Sequence, residues 1–274
     1  MTEIIKDFIL NIVINIFKKC KLFIFVYKGV RMRENKIYFV DVTNRDGVQT
    51  SRLGLAKLQK TIINLMLDDM GITQSEFGFP TTQHEINYLN GNLELVERGV
   101  ISRTRLSGWM RGITSDVELS FKNVPKLKYI NLSQSTSEQM INGKYLGKKT
   151  PQDIINMTCE AVECAKSLGA IDIGINAEDA SRSDIDFLIR YANEAKKAGA
   201  KRFRYCDTLG YEDPQTTYER IYKIAKETEM PIEMHFHNDL GMATACSVMG
   251  ARAAIDAGVN AYINTAINGM GERA

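Results

Sequence analysis

From Lys36 onward, short runs of β-branched and aromatic residues alternate with longer stretches in which Leu, Ile, Met and Ala recur at helical spacing. KIYFVDV reads as a strand, and after the polar loop NRDGVQTS the segment LGLAKLQKTIINLMLDDMG reads as a helix closed by glycine. The pattern repeats as TQSEFGFP with a helix through NYLNGNLELVERG, and as RTRLSGWM with a short helix near DVELSF. LKYINLS follows, joined to DIINMTCEAVECAKSLG by a long loop from Gln134 to Thr150. IDIGIN with IDFLIRYANEAKKAG, RFRYCD with DPQTTYERIYKIAKE, PIEMHFH with MATACSVMGARAAIDAG, and a final AYINTA complete eight strand segments and seven helices.

Such βα units imply a parallel sheet, and eight strands suit a closed (β/α)8 TIM barrel better than an open doubly wound sheet. Gly71, Gly99, Gly169, Gly199 and Gly258 stand at helix ends just before the next strand, as left-handed caps. The polar clusters NRDGVQT, GFPTTQHE, NAEDASRSD, CDTLGYEDP, HFHNDLG and NGMGERA all fall after strands. In this fold they share one face, the usual catalytic mouth.

Residues 1–31 differ from the rest, with FILNIVINIF and LFIFVY on either side of a basic KKCK break. Neither half has the roughly 20 apolar residues of a spanning helix, and the mid-segment lysines do not fit a secretory signal. The extension reads as a membrane-surface helix, an amphipathic plug, or an upstream stretch that is not translated, with Met32 as the start. Residues 36–274 form the catalytic domain on this reading. With 44% hydrophobic and 25% charged residues and 5 Pro, the chain is neither disordered nor collagenous. Its formal charge of +2 gives no single-sign field for nucleic acid, so no nucleic-acid partner is expected. The 5 cysteines are odd in number and without CxxC spacing, which reads as reduced thiols in a cytoplasmic protein.

His235 and His237 are two apart on a strand, so both imidazoles leave one face and can enter the mouth. Asp46 after the first strand would supply an anionic third ligand, because strands 1 and 7 are separated by one neighbour in a closed barrel. Arg45 beside it reads either as a solvated turn charge or as a fixed cation for a carboxylate or oxyanion. Taken alone, Glu76 reads as an ion pair for the next helix, Glu178 and Asp179 as helix caps, Thr208 as a turn hydroxyl and His84 as surface. No GxGxxG or Walker loop opens a helix.

The ordered set VDVTNRDGVQT, SEFGFP, NAEDASRSD, CDTLG, HFHNDLG and INGMGERA resembles the 2-isopropylmalate and homocitrate synthase branch of the DRE-TIM metallolyase (HMGL-like) superfamily. The resemblance implies a divalent metal ion (Mg, Mn or Zn) on Asp46, His235 and His237, and Arg45 on the keto oxygen. It further implies Glu178 and Thr208 lining the 2-oxo-acid site, and Gln49, Glu76 and Arg273 binding substrate. The activity it implies is a Claisen condensation of acetyl-CoA with a 2-oxo acid. The wording is most similar to nitrogen-fixation-type homocitrate synthases, which makes 2-oxoglutarate the expected acceptor, with 2-isopropylmalate and citramalate synthases as alternatives.

The chain departs from that pattern at Asn44, where relatives have Leu, and at Asn131, where relatives have a substrate-contacting His. Arg105 or Arg111 beside strand 3 could hold a second carboxylate. The chain reaches Ala274 before the Gly-Asn that completes the last motif, so the barrel reads as truncated before its last helix and lacking the C-terminal region. A homodimer or a complementing C-terminal subunit is therefore expected. The rival reading is a degenerate, non-catalytic barrel subunit.

Overall fold

The computed structural model describes residues 35–51 and 53–271. Eight parallel strands close a barrel in sequence order: β1 (Ile37–Asp41), β2 (Gln74–Gly78), β3 (Arg105–Arg111), β4 (Tyr129–Ser135), β5 (Asp172–Glu178), β6 (Arg202–Asp207), β7 (Ile232–Phe236) and β8 (Ala261–Thr265). β8 pairs with both β7 and β1, so β1 and β7 are separated by one strand. The helices are α1 (Lys57–Met70), α2 (Ile86–Glu97), α3 (Thr114–Asn123), α4 (Glu138–Tyr145), α5 (Pro151–Ser167), α6 (Ile185–Ala198), α7 (Pro214–Thr228) and α8 (Ala243–Ala257). Within the described residues, β8 leads into a 3-10 turn at Ile267–Gly269.

The TIM barrel expected from the alternating periods is present, with one α-helix more than the pattern suggested. The segment Gln134 to Thr150 contains α4, a two-turn helix opened by Ser137, whose hydroxyl accepts from the Met140 amide. Its weak apolar periodicity, with Ile141 its one buried residue, hid it in the sequence. All five glycines expected to end helices have positive φ.

The apolar core lies between the sheet and the helices, where Phe77, Leu106, Ile130, Ile175, Phe203, Tyr205, Met234 and Phe236 point outward from alternate strand positions. The inward positions are different in kind. The interior of such barrels is usually filled by branched apolar side chains. Here it holds Gln74, Glu76, Ser107, Asn131, Arg202, Arg204, Glu233 and Asn264, all buried. Three hydrogen bonds join β6 to β2 across the barrel: Arg202 Nη1 donates to Gln74 Oε1 at 3.1 Å, and Arg204 donates twice to Glu76, Nη2 to Oε1 at 2.8 Å and Nη1 to Oε2 at 3.3 Å. A charged filling of this sort is stable only when every charge is matched, and it then acts as a rigid floor for whatever sits above it.

Candidate functional site at the barrel mouth

Above that floor, on the C-terminal side of the strands, lies a cavity of about 220 Å³ lined by Arg45, Asp46, Gln49, Trp109, Ser133, Asn176, Glu178, Arg204, Cys206, Thr208, His235 and His237. It adjoins a second cavity of about 540 Å³ through the shared side chains of Trp109, Ser133 and Glu178. A larger cavity of about 1010 Å³ lies on the outer rim among Thr136, Ser181, Phe187 and Tyr211 and holds none of the convergent donors. Chemistry, rather than volume, singles out the small one.

His235 and His237 leave the inward face of β7 and the turn after it, and their Nε2 atoms approach to 3.2 Å. Asp46 Oδ2 lies 3.3 Å from His235 Nε2 and 3.9 Å from His237 Nε2. Asp46 is not at the strand end itself: β1 stops at Asp41, and a tight turn carries Asp46 back over the barrel, with its amide donating to the Val42 carbonyl at 2.8 Å. Two nitrogens and a carboxylate oxygen spaced in this way fit around one ion at bond lengths of about 2.0–2.2 Å, and borderline N/O donors suit a divalent metal. These three form the one His/Cys/Asp/Glu group with metal-holding geometry among the described residues.

The orientation of the His235 ring can be read from its neighbours. Its Nδ1 lies 2.9 Å from Asn264 Oδ1, and the Asn264 amide is oriented by its own donation to Glu233 Oε1 at 2.8 Å. An amide oxygen can only accept, so Nδ1 carries a proton and Nε2 is the ring atom turned to Asp46.

Arg45 is clamped rather than solvated. Its Nε donates to Glu76 Oε2 at 2.7 Å, its Nη2 lies 2.5 Å from the same oxygen, and its Nη1 bonds Asp46. The guanidinium lies over the Trp109 ring, 4.9 Å from its centre. Of its five N–H groups, the contacts among the described residues leave two for a ligand.

Glu76 is fully buried and sits mid-strand in the barrel interior, which corrects its reading as an ion pair for the next helix. It accepts from Arg45, Arg204 and the Asn131 amide. Burial pushes its carboxyl up, but the Arg204 and Arg45 guanidiniums outweigh that and hold it at about 2. Glu233 is likewise held low: burial raises it, and Arg204 and Arg202 more than offset the rise. Arg204, Glu233 and Asn264 did not figure in the sequence reading. The signal was present in RFRYCD and PIEMHFH, where Arg202, Arg204, Glu233 and His235 occupy every second, inward position.

Other expectations divide. Gln49, Glu178 and Thr208 line the cavity with the histidines. Glu178 is not a helix cap; it accepts from Ser135 at 2.6 Å and pairs with Lys144 at 2.5 Å. Asp179 is no cap of α6 either, because it pairs with Arg182, and Asp184 caps that helix by accepting from the Phe187 amide. Thr208 Oγ1 accepts from the Asp179 amide at 2.9 Å. Asn131 is not at the mouth but beneath it, on Glu76. Asn44 turns away to the Lys60 carbonyl and Asn64. Arg105 begins β3 at the far end of the barrel and lies 3.6 Å from Asp172, so it cannot meet a ligand at the mouth. Arg111 ends β3 and is locked bidentate on Asp116 at 2.7 and 2.8 Å. His84 is exposed. Arg273 and the extension 1–31 lie outside the described residues.

Residues 36–274 match the HMGL-like family. The chain belongs to that family. Over 239 residues it is 57% identical to a citrate (Re)-synthase of Dehalococcoides mccartyi, covering 87% of this chain and 58% of the relative. It is 38% identical to 2-isopropylmalate synthase 2 of Caldanaerobacter subterraneus subsp. tengcongensis, covering 88% and 59%. The chain thus spans less than two thirds of these relatives' length. Among solved structures, the hydroxymethylglutaryl-CoA lyase of Bacillus subtilis aligns with a TM-score of 0.67 at 16% identity, covering 87% of this chain and 79% of that one, which supports the shared barrel fold. The HMGL-like chain therefore falls in the synthase branch of the superfamily, whose members generally depend on a divalent metal.

Proposed function

We propose that residues 36–274 are the metal- and 2-oxo-acid-binding domain of a citrate (Re)-synthase, which condenses acetyl-CoA with oxaloacetate. One observation carries the reading: among the described residues no aliphatic side chain lines the cavity beside Asp46, His235 and His237. A branched acceptor such as 2-oxoisovalerate would press methyl groups against the polar wall of Ser133, Asn176 and Thr208 and displace water from it without replacing that water's hydrogen bonds. Pyruvate would reach less of the wall. A short dicarboxylic acceptor offers it a second set of acceptor oxygens.

Between oxaloacetate and the 2-oxoglutarate expected from sequence, the 57% identity to a protein named citrate (Re)-synthase favours oxaloacetate, the 2-oxo acid that acetyl-CoA converts to citrate. The whole reaction joins the thioester methyl carbon, after loss of one proton, to the keto carbon; water then releases CoA and leaves citrate.

Asp46, His235 and His237 would hold a divalent ion, which when bound supplies polarisation of the keto group and charge stabilisation at its oxygen. The two spare N–H groups of Arg45 would take a substrate carboxylate or the developing oxyanion, in an orientation fixed by Glu76. Gln49 and Thr208 would complete the polar wall, and Glu178 would border the route to the adjoining cavity, where the thioester has room.

The test is CoA-thiol release with oxaloacetate, 2-oxoglutarate, 2-oxoisovalerate and pyruvate in turn, with the chain alone and with the neighbouring gene's product added. The reading expects citrate from oxaloacetate. Turnover of 2-oxoglutarate or 2-oxoisovalerate with oxaloacetate inert would refute it. A non-catalytic subunit would release no thiol in any arm.

A further inference from the structure

We infer that Asn264 and Glu233 are positioning residues for the metal site, which hold a proton on His235 Nδ1 and so keep Nε2, turned toward Asp46, as the atom left for an ion. The inference rests on the proposed metal-binding role of Asp46, His235 and His237. Asn264 comes from β8 and Glu233 from β7, both buried and both on inward positions. Asn264 faces two partners at once, with His235 Nδ1 2.9 Å from Oδ1 and Glu233 Oε1 2.8 Å from Nδ2. Glu233 is an acceptor only, so the amide cannot turn over without placing its oxygen against a carboxylate. Glu233 is in turn fixed by Arg204, whose Nε donates to it at 2.9 Å, and by Arg202, whose Nε lies 3.3 Å from its other oxygen.

The chain of contacts continues from Arg204 to Glu76 at 2.8 Å, from Glu76 to Arg45 at 2.7 Å, and from Arg45 to Asp46. Asp46 Oδ2 lies 3.3 Å from His235, so the path returns to its start as a closed loop beneath the cavity. Free imidazole prefers the opposite tautomer, with the proton on Nε2, where it would block a metal. The contribution of Asn264 and Glu233 is to reverse that preference before any ion arrives. Outer partners of this kind typically set metal affinity by about 10–100-fold.

The chain has 3 histidines, so selective 15N-histidine labelling gives a spectrum simple enough to assign with the His84→Ala and His237→Ala variants. In metal-free wild type, the long-range 1H–15N pattern of His235 should report protonated Nδ1. In Asn264→Leu it should shift to protonated Nε2, and Co2+ affinity, read from the visible absorption of the bound ion, should fall about 10–100-fold. The exchange variant Glu233→Gln with Asn264→Asp keeps one amide and one carboxylate between the two positions. It should restore the Nδ1–H pattern and bring Co2+ affinity to within about fivefold of wild type.

Wild-type His235 protonated on Nε2, or Asn264→Leu with unchanged tautomer and affinity, would overturn the inference. If Asn264→Leu fails to fold, the wild-type tautomer and the exchange variant decide: an exchange variant that folds but stays protonated on Nε2 refutes it. Wild type with the Nδ1–H tautomer but no Co2+ binding would contradict the proposed function, and with it the role of the tautomer in metal binding.

Discussion

Arg204 on β6 reaches across the barrel interior to Glu76 on β2, Nη2 to Oε1 at 2.8 Å, with both side chains essentially inaccessible to water. This contact joins opposite walls of the barrel and sets the height at which Glu76 grips Arg45. Removing one partner of such a pair strands the other, which typically costs about 3–5 kcal/mol.

Glu76→Gln should therefore destabilise the fold by about 3–5 kcal/mol near pH 7, measured by urea unfolding. The Glu76 carboxyl is held at about 2, below its ordinary 4.5, so its stabilising effect is complete above pH 4.5 and is lost as pH falls through about 2. The gap between wild type and variant should be flat from pH 5 to 8 and narrow below pH 4.5. A gap that widens on acidification would contradict the assignment.

Glu212 behaves in the opposite sense. Burial pushes its carboxyl up to about 7, against hydrogen bonds from Tyr205 and Thr217 and the nearby Arg220 charge. A raised acid contributes stability below its ordinary 4.5 that is lost as pH rises through about 7. Relative to wild type, Glu212→Gln should gain thermal stability between pH 5 and pH 8, by roughly 2–4 °C for each kcal/mol recovered. Melting curves at the two pH values check this, and a pH-independent difference would argue against it.

Arg45→Lys keeps the charge but loses the fork that spans Asp46, Glu76 and the cavity. The expected result is a fall in kcat of about 10²–10³-fold with a smaller change in KM for the 2-oxo acid. Steady-state kinetics that leave kcat within about fivefold would remove Arg45 from the transition state.

The barrel was legible because strand and helix periods alternate cleanly and glycines mark the helix ends. The HFH pair was legible because residues two apart on a strand must share a face, and the closed order of strands brought Asp46 near them. What the linear pattern concealed was the level below. Glu76 and Arg204 are 128 positions apart, and nothing local in SEFGFP or RFRYCD states that they meet. Arg105 and Arg111 looked equivalent beside one strand, yet they emerge at its opposite ends. Asn131 falls two positions below Ser133 on β4, and that single pleat separates the floor from the mouth.

Asp46, His235 and His237 would share one divalent ion, and metal analysis of the chain after equilibration with Mg2+, Mn2+ or Zn2+ tests this most directly. The expected result is one tightly held equivalent per chain for at least one of these ions, lost in each of Asp46→Asn, His235→Ala and His237→Ala while the folded spectrum is kept. A wild-type chain that retains no metal, or a His237→Ala variant that retains the full equivalent, would contradict it.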